Sequence, residues 1–180
     1  MTSDWGRNEL LRLILGLFLV YVLLFWITNW ILYFQKMTLN PASVAAYYHG
    51  DPELDFGRPP RPLGAMAEVA HFHLFAMGLL VMTLTHLLLF LPIAVRTKAI
   101  LVSIAFASAL LDEGAGWLVR FVHPGFAVVK VCGFLLLQAS MLGLILALFV
   151  GLLRPGRNAY EDSAKRRSTR AVARTTDPTP

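Results

Sequence analysis

The residues of this chain best suited to chemistry are its histidines and a small set of carboxylates. Glu68, His71, His73 and His86 share one apolar segment, Asp112 and Glu113 fall inside another, and His49 and His123 lie in polar connections, the latter close to Arg120. Imidazole nitrogens bind iron, copper or zinc, carboxylates carry protons or complete an oxygen shell, and a guanidinium neutralises a bound anion. In an apolar stretch such groups are costly and by default mark a site. His86 resists a bland account most, because its neighbours are Leu, Thr and Phe; a hydrogen bond to Gln138 is the simplest one.

The elements that must position these groups follow from composition. Of 180 residues, 57% are hydrophobic and 15% charged, well outside the soluble average, so the expected solvent is lipid. The formal charge of +5 would usually suggest nucleic acid. The basic residues instead gather at helix ends and in the C-terminal tail, so no nucleic-acid partner is expected. Cys132 stands alone and forms no internal disulfide, and the absence of CxxCH excludes a covalently attached c-type haem.

The expected fold is all-α, an integral membrane four-helix bundle. Its spans are 13–35, 65–95, 99–119 and 127–153, each with enough apolar residues to cross about 30 Å of hydrocarbon. Arg7 and Arg12 could open a signal peptide, but the first run is longer than a signal h-region and ends in Trp30, Tyr33 and Phe34, read as interfacial aromatics. Residues 36–64 form a Pro- and Gly-rich loop with a short interfacial turn around Pro41 to Tyr48; Arg96-Thr97-Lys98 and 120–126 are tight connections. Residues 1–12 and the basic tail 154–180 belong to one side with the Arg96–Lys98 turn, which predicts both termini in the cytoplasm and residues 36–64 and 120–126 in the periplasm of a bacterial inner membrane. The tail is too polar to fold, and its charge suits anionic lipids or a topological anchor.

At about 100° per residue, Glu68, His71, Phe75, Leu79, Met82 and His86 fall on one stripe of the second span, and His73 on nearly the opposite side. His86 follows His71 by roughly 22 Å along the axis, about mid-span or somewhat inward. Glu68-Val-Ala-His71-Phe-His73, with His86 beyond, resembles the histidine-bearing helix of small bacterial four-helix membrane cytochromes b. The likeness covers that helix, extended by the segment from Asp112 to His123. It implies haem b, quinol as donor or acceptor, and electron transfer to a membrane or periplasmic redox subunit. In that scheme His71 pairs with His123, or with His49, across an outer haem. His86 is a second ligand or a quinone contact, and a deeper haem needs Met141, another subunit or a symmetry-related His86. Arg120 neutralises a propionate, and Glu68, Asp112 and Glu113 relay protons. The chain departs from the pattern in having no second helix with a histidine pair.

Two further readings use the same residues. His71, His123, His49 and Glu68, joined by Asp112 and Glu113, could form a non-haem metal site of a membrane enzyme, although only one Glu-x-x-His pair is present. Alternatively the carboxylates only pair with Arg120 and Lys130, the histidines are wet or capped, Met77 and Met82 pack, and the protein is a structural or assembly subunit. Small residues at Ala105, Ala107, Ala109, Gly114 and Gly116 predict close helix contact on the third span.

Overall fold

A computed structural model describes residues 9–51 and 57–153. The expected tail and most of the N-terminal segment, with Arg7, lie outside the described residues. Four long helices, α1 (Glu9–Lys36), α3 (Leu63–Leu88), α4 (Val95–Phe121) and α5 (Ala127–Leu153), are joined by a short α2 (Pro41–His49) and a 3-10 turn at Pro124–Phe126. At 1.5 Å per residue each long helix reaches about 40 Å, sufficient to cross a membrane. All four are apolar enough to do so. Hydrocarbon supplies no hydrogen-bond partners, so a chain of this composition satisfies its backbone within helices. The protein is an all-α, multi-pass membrane bundle whose outer surface contacts lipid. Among the described residues the only extended pairing is an isolated bridge between Asp51 and Arg58.

Several boundaries differ from the sequence reading. The helix expected over 65–95 runs from Leu63 to Leu88 and stops there. Pro92 lacks an N–H and disfavours helical geometry at Leu91, so the chain reverses through 89–94. Lys98 Nζ then donates to the Leu89 carbonyl at 2.6 Å, a cation on the free end of a helix. Arg96 to Lys98, expected as the turn, are the first turn of α4. His86 therefore sits in the last turn of α3 and not near the middle of the helix.

Helix α2 is stronger than the turn expected at its place. Asn40 caps it by accepting the Ala42 N–H at 2.9 Å, and Pro41 opens it. Gly50 ends it with φ of +93°; a Cβ there would come within 2.6 Å of the Arg58 carbonyl oxygen, so only glycine makes this turn.

Helix α5 is the centre of the bundle and packs on α1, α2, α3 and α4. Association in lipid relies on close packing, because lipid tails are as apolar as the side chains. Gly133 of α5 accordingly faces the Asp112 backbone, where a Cβ would lie at 3.2 Å; Gly116 of α4 faces the Tyr48 ring at 3.0 Å. Of the small residues expected at contacts, Ala105 and Gly116 are buried, whereas Ala107 and Gly114 face outward. Tyr33 is buried and stacks on Phe134 of α5 at 3.8 Å. Trp26 Nε1 donates to the Gln138 carbonyl at 3.0 Å, further fixing α1 to α5. Contacts of α1 with α3 and α4 are sparse, which leaves a groove between them.

Candidate functional site

Two cavities share the groove beneath α2. The first, about 130 Å³, is bordered by Phe25 of α1, Leu74 and Met77 of α3, and Leu110 of α4, with Leu137 of α5 below. Phe25, Leu74 and Leu110 are 43%, 54% and 62% exposed, so this cavity opens sideways toward lipid. The second, about 120 Å³, runs toward α2 past Tyr33, Tyr47, Tyr48, Lys36 and Arg61. Asn29, His73, Asp112 and Glu113 line both.

Where the cavities meet, α3, α4 and α5 bring two polar pairs together. His73 Nδ1 lies 3.1 Å from Glu113 Oε2, with the imidazole 58% exposed and the carboxylate 19%. Beside it, Lys130 Nζ donates to Asp112 Oδ1 at 2.7 Å and to the Asp112 carbonyl at 2.8 Å. Lys130 is buried, 7% exposed. His73 is roughly 15 Å along α3 from its start and Asp112 a similar distance below the end of α4, while Lys130 lies in the first turn of α5, so both pairs sit on helices long and apolar enough to cross a membrane. A buried pair persists there only with good geometry and satisfied hydrogen bonds. With Glu113 ionised, His73 Nδ1–H donates to it and Nε2 is left as an acceptor facing no assigned partner. That arrangement fixes the orientation of the imidazole. Burial, and then the Asp112 carboxylate, push the Tyr48 phenol far above its usual pKa, so Tyr48 remains a neutral donor above the pairs.

The loop and α2 close over this region. Arg120 Nε donates to the Arg61 carbonyl at 2.9 Å and its guanidinium lies over Phe121 at 5.0 Å, so it fastens the connection before α3. Arg61 in turn stacks over Tyr47 at 4.9 Å.

The other expected site residues are placed differently. Glu68, His71, Phe75, Leu79, Met82 and His86 do form one face of α3, and every one of them is exposed. That face looks away from the bundle. His71 touches Phe72 edge-on, and His86 touches Phe90. His86 does not hydrogen-bond Gln138, whose own amide is buried without a side-chain partner. His49 is exposed at the end of α2. His123 Nδ1 accepts the Gly125 N–H at 2.9 Å and so caps the 3-10 turn. Among the described residues no three His, Cys, Asp or Glu side chains gather as a metal group. The set of His49, Glu68, His71 and His123 expected for a non-haem metal is therefore not assembled. The rings of His71 and His86 lie on that outward face, and Met141 lies in the core at 3% exposure.

The expected pairing of carboxylates with Lys130 holds for Asp112; Glu113 pairs with His73 instead of Arg120. Asn29, Tyr48 and Arg61 carry no site signal in the sequence, and His73, counted there among the histidines, is given no role by it. The usable signal was the angular separation of His73 from the His71 stripe, taken with two adjacent carboxylates inside an apolar run.

No curated protein and no solved structure matches the chain. A family model described as a transmembrane helical domain matches residues 38–159, a stretch that contains α2 to α5 and both polar pairs and leaves α1 outside. The match extends over well more than half of the chain, and the protein belongs to this family of transmembrane helical domains.

Proposed function

We propose that the protein is a membrane subunit that binds quinol or quinone in the groove between α1 and the α3–α4 pair and passes electrons between it and a partner redox subunit. The observation that carries this reading is the His73–Glu113 pair, half exposed on the wall of an apolar cavity open to lipid. An imidazole at that depth gains nothing from lipid tails. A hydroxyl on an apolar ring satisfies it: the hydroxyl donates to His73 Nε2 while the ring and tail lie against Phe25, Leu74, Met77 and Leu110. Oxidation of quinol to quinone releases two electrons and two protons. His73 receives one proton as general base, Glu113 stabilises the imidazolium, the second proton leaves to solution, and the two electrons pass one at a time to one-electron acceptors held by the partner. The supported location is a bacterial inner membrane with the α2 end periplasmic, since Arg12, Arg96 and Lys98 lie at the opposite end.

Quinones quench tryptophan, and Trp26 and Trp30 flank Asn29 on α1. Titrating purified protein with a short-chain quinone should give saturable quenching. His73→Ala and Glu113→Gln should raise Kd about tenfold or more, equivalent to about 1.4 kcal/mol. Quenching that does not saturate, or that ignores both substitutions, rejects the reading.

The outward face of α3 favours a second reading, an assembly subunit that docks a partner on Glu68, His71 and His86. Haem b belongs to that reading, because its second ligand would have to come from the partner. Purified complex with no Soret band, and with assembly unchanged in a His71→Ala, His86→Ala double variant, would remove it.

A further inference from the structure

The two ends of the bundle offer unequal access to the polar pairs. On the α2 side the second cavity leads from His73, Asp112 and Glu113 past Tyr33, Tyr48 and Arg61 to Lys36 at the end of α1. Polar atoms recur along this path, and the Arg61 Nε–H on it is buried with no acceptor among the described residues. Lys130 has three donors and spends two on Asp112.

On the other side the described residues close the interior with apolar side chains. Val81, Leu84 and Leu88 of α3, Ala105 of α4, and Leu144 and Leu148 of α5 are each 1% exposed or less and close the interior. From Val81 to Leu88 this plug is roughly 10 Å deep. The hydroxyls below the pairs do not bridge it: Thr85, inside the plug, donates back to the Val81 carbonyl of its own helix at 2.7 Å. Ser108 and Ser140 lie 3.2 Å apart, and both turn back to carbonyls of their own helices, Ala105 at 3.0 Å and Leu137 at 2.9 Å. A proton cannot cross several layers of aliphatic side chains without hydrogen-bonding groups or water.

We propose that the vestibule beneath α2 is a one-sided solvent and proton route, connecting the His73–Glu113 and Asp112–Lys130 pairs to solution at the α2 end alone. Protons taken up or released at the pairs then exchange with one compartment only. The inference deepens the quinol reading by fixing the side on which substrate protons leave, yet the route exists whether or not quinol is the ligand.

The test reads water access directly, without quinol. The single native cysteine, Cys132, is replaced by serine, and one cysteine is introduced at a time into the full-length chain: Asn29→Cys where the cavities meet, Val69→Cys in the vestibule wall, and Leu84→Cys and Leu144→Cys in the plug. Each variant is reconstituted into vesicles, and a charged, membrane-impermeant methanethiosulfonate is added to one side or the other. Only a thiolate reacts, so a cysteine in hydrocarbon stays silent. The expected result is labelling of Asn29→Cys and Val69→Cys from the α2 side at least about tenfold faster than from the other, with both plug positions silent; the factor corresponds to about 1.4 kcal/mol. Equal labelling of Asn29→Cys from both sides, labelling of either plug cysteine from the opposite side, or silence of both vestibule positions in folded protein overturns the proposal. Loss of saturable quinone quenching with one-sided labelling intact would instead reject the quinol reading alone.

Discussion

The half of the bundle beneath α2 and the half farthest from it are made from the same helices, yet they solve opposite problems. Beneath α2, α4 and α5 approach through Gly133, and the space is filled by Tyr33, Tyr48, Phe134 and two polar pairs. In the far half, Leu84, Leu88, Leu144 and Leu148 interlock with no charged group among them. The far half needs only close packing, which any set of complementary aliphatic shapes provides. The α2 half holds desolvated charge that packing alone would not retain. This difference locates the chemistry in one half and the closure in the other.

The largest break in the comparison should come from Lys130→Met. It leaves Asp112 charged and unpaired in an apolar layer, and breaking a buried pair typically costs about 3–5 kcal/mol. Thermal unfolding in detergent should record the loss, and adding Asp112→Leu should recover most of it. In the far half, Leu144→Ala should cost about 2 kcal/mol, the low end for buried leucine, because the transfer from water that raises the cost in soluble proteins has little counterpart in lipid. It should leave quinone quenching unchanged.

Smaller effects sharpen the contrast. Gly116→Val should drive Tyr48 off α4, since even a methyl group would sit 3.0 Å from its ring; overpacking of this kind costs about 1–3 kcal/mol. Quinone binding should weaken along with stability, which Leu144→Ala does not predict. His71→Ala and His86→Ala, on the outward face, should each change stability by less than about 0.5 kcal/mol and leave the quenching titration of the isolated protein as it was. A substantial loss from either would mean that the outward face, not the groove, holds the ligand.

The fold was legible because its signal is redundant: each span is a long apolar run, and helix is the only local structure that hydrocarbon admits at that length. The ends were less legible, since Pro92 stopped α3 several residues before its hydrophobic run ended. The site was legible in part. Asp112, Glu113 and Lys130 stood out as charges within apolar segments, and the Asp112–Lys130 pair follows from their placement. The histidines misled because a helical projection shows which residues share a face without showing which face is inside. Two histidines on one stripe drew attention from the single one opposite. Only the packing of α3 on α4 and α5 decides that His73 looks into the groove and His71 out of it. Asn29, Tyr48 and Arg61 come from α1, α2 and the loop, whose approach to α4 depends on contacts such as Tyr48 on Gly116 that no spacing rule encodes.

The most direct test of the groove as the ligand site is covalent mapping. A photoreactive quinone illuminated with the purified protein, followed by peptide mass spectrometry, should place adducts on Asn29, Leu74, Met77 or Leu110 and lose them when unlabelled quinone competes. Competed adducts on Phe75, Leu79 or Met82 would put the ligand on the outward face of α3 and contradict the account.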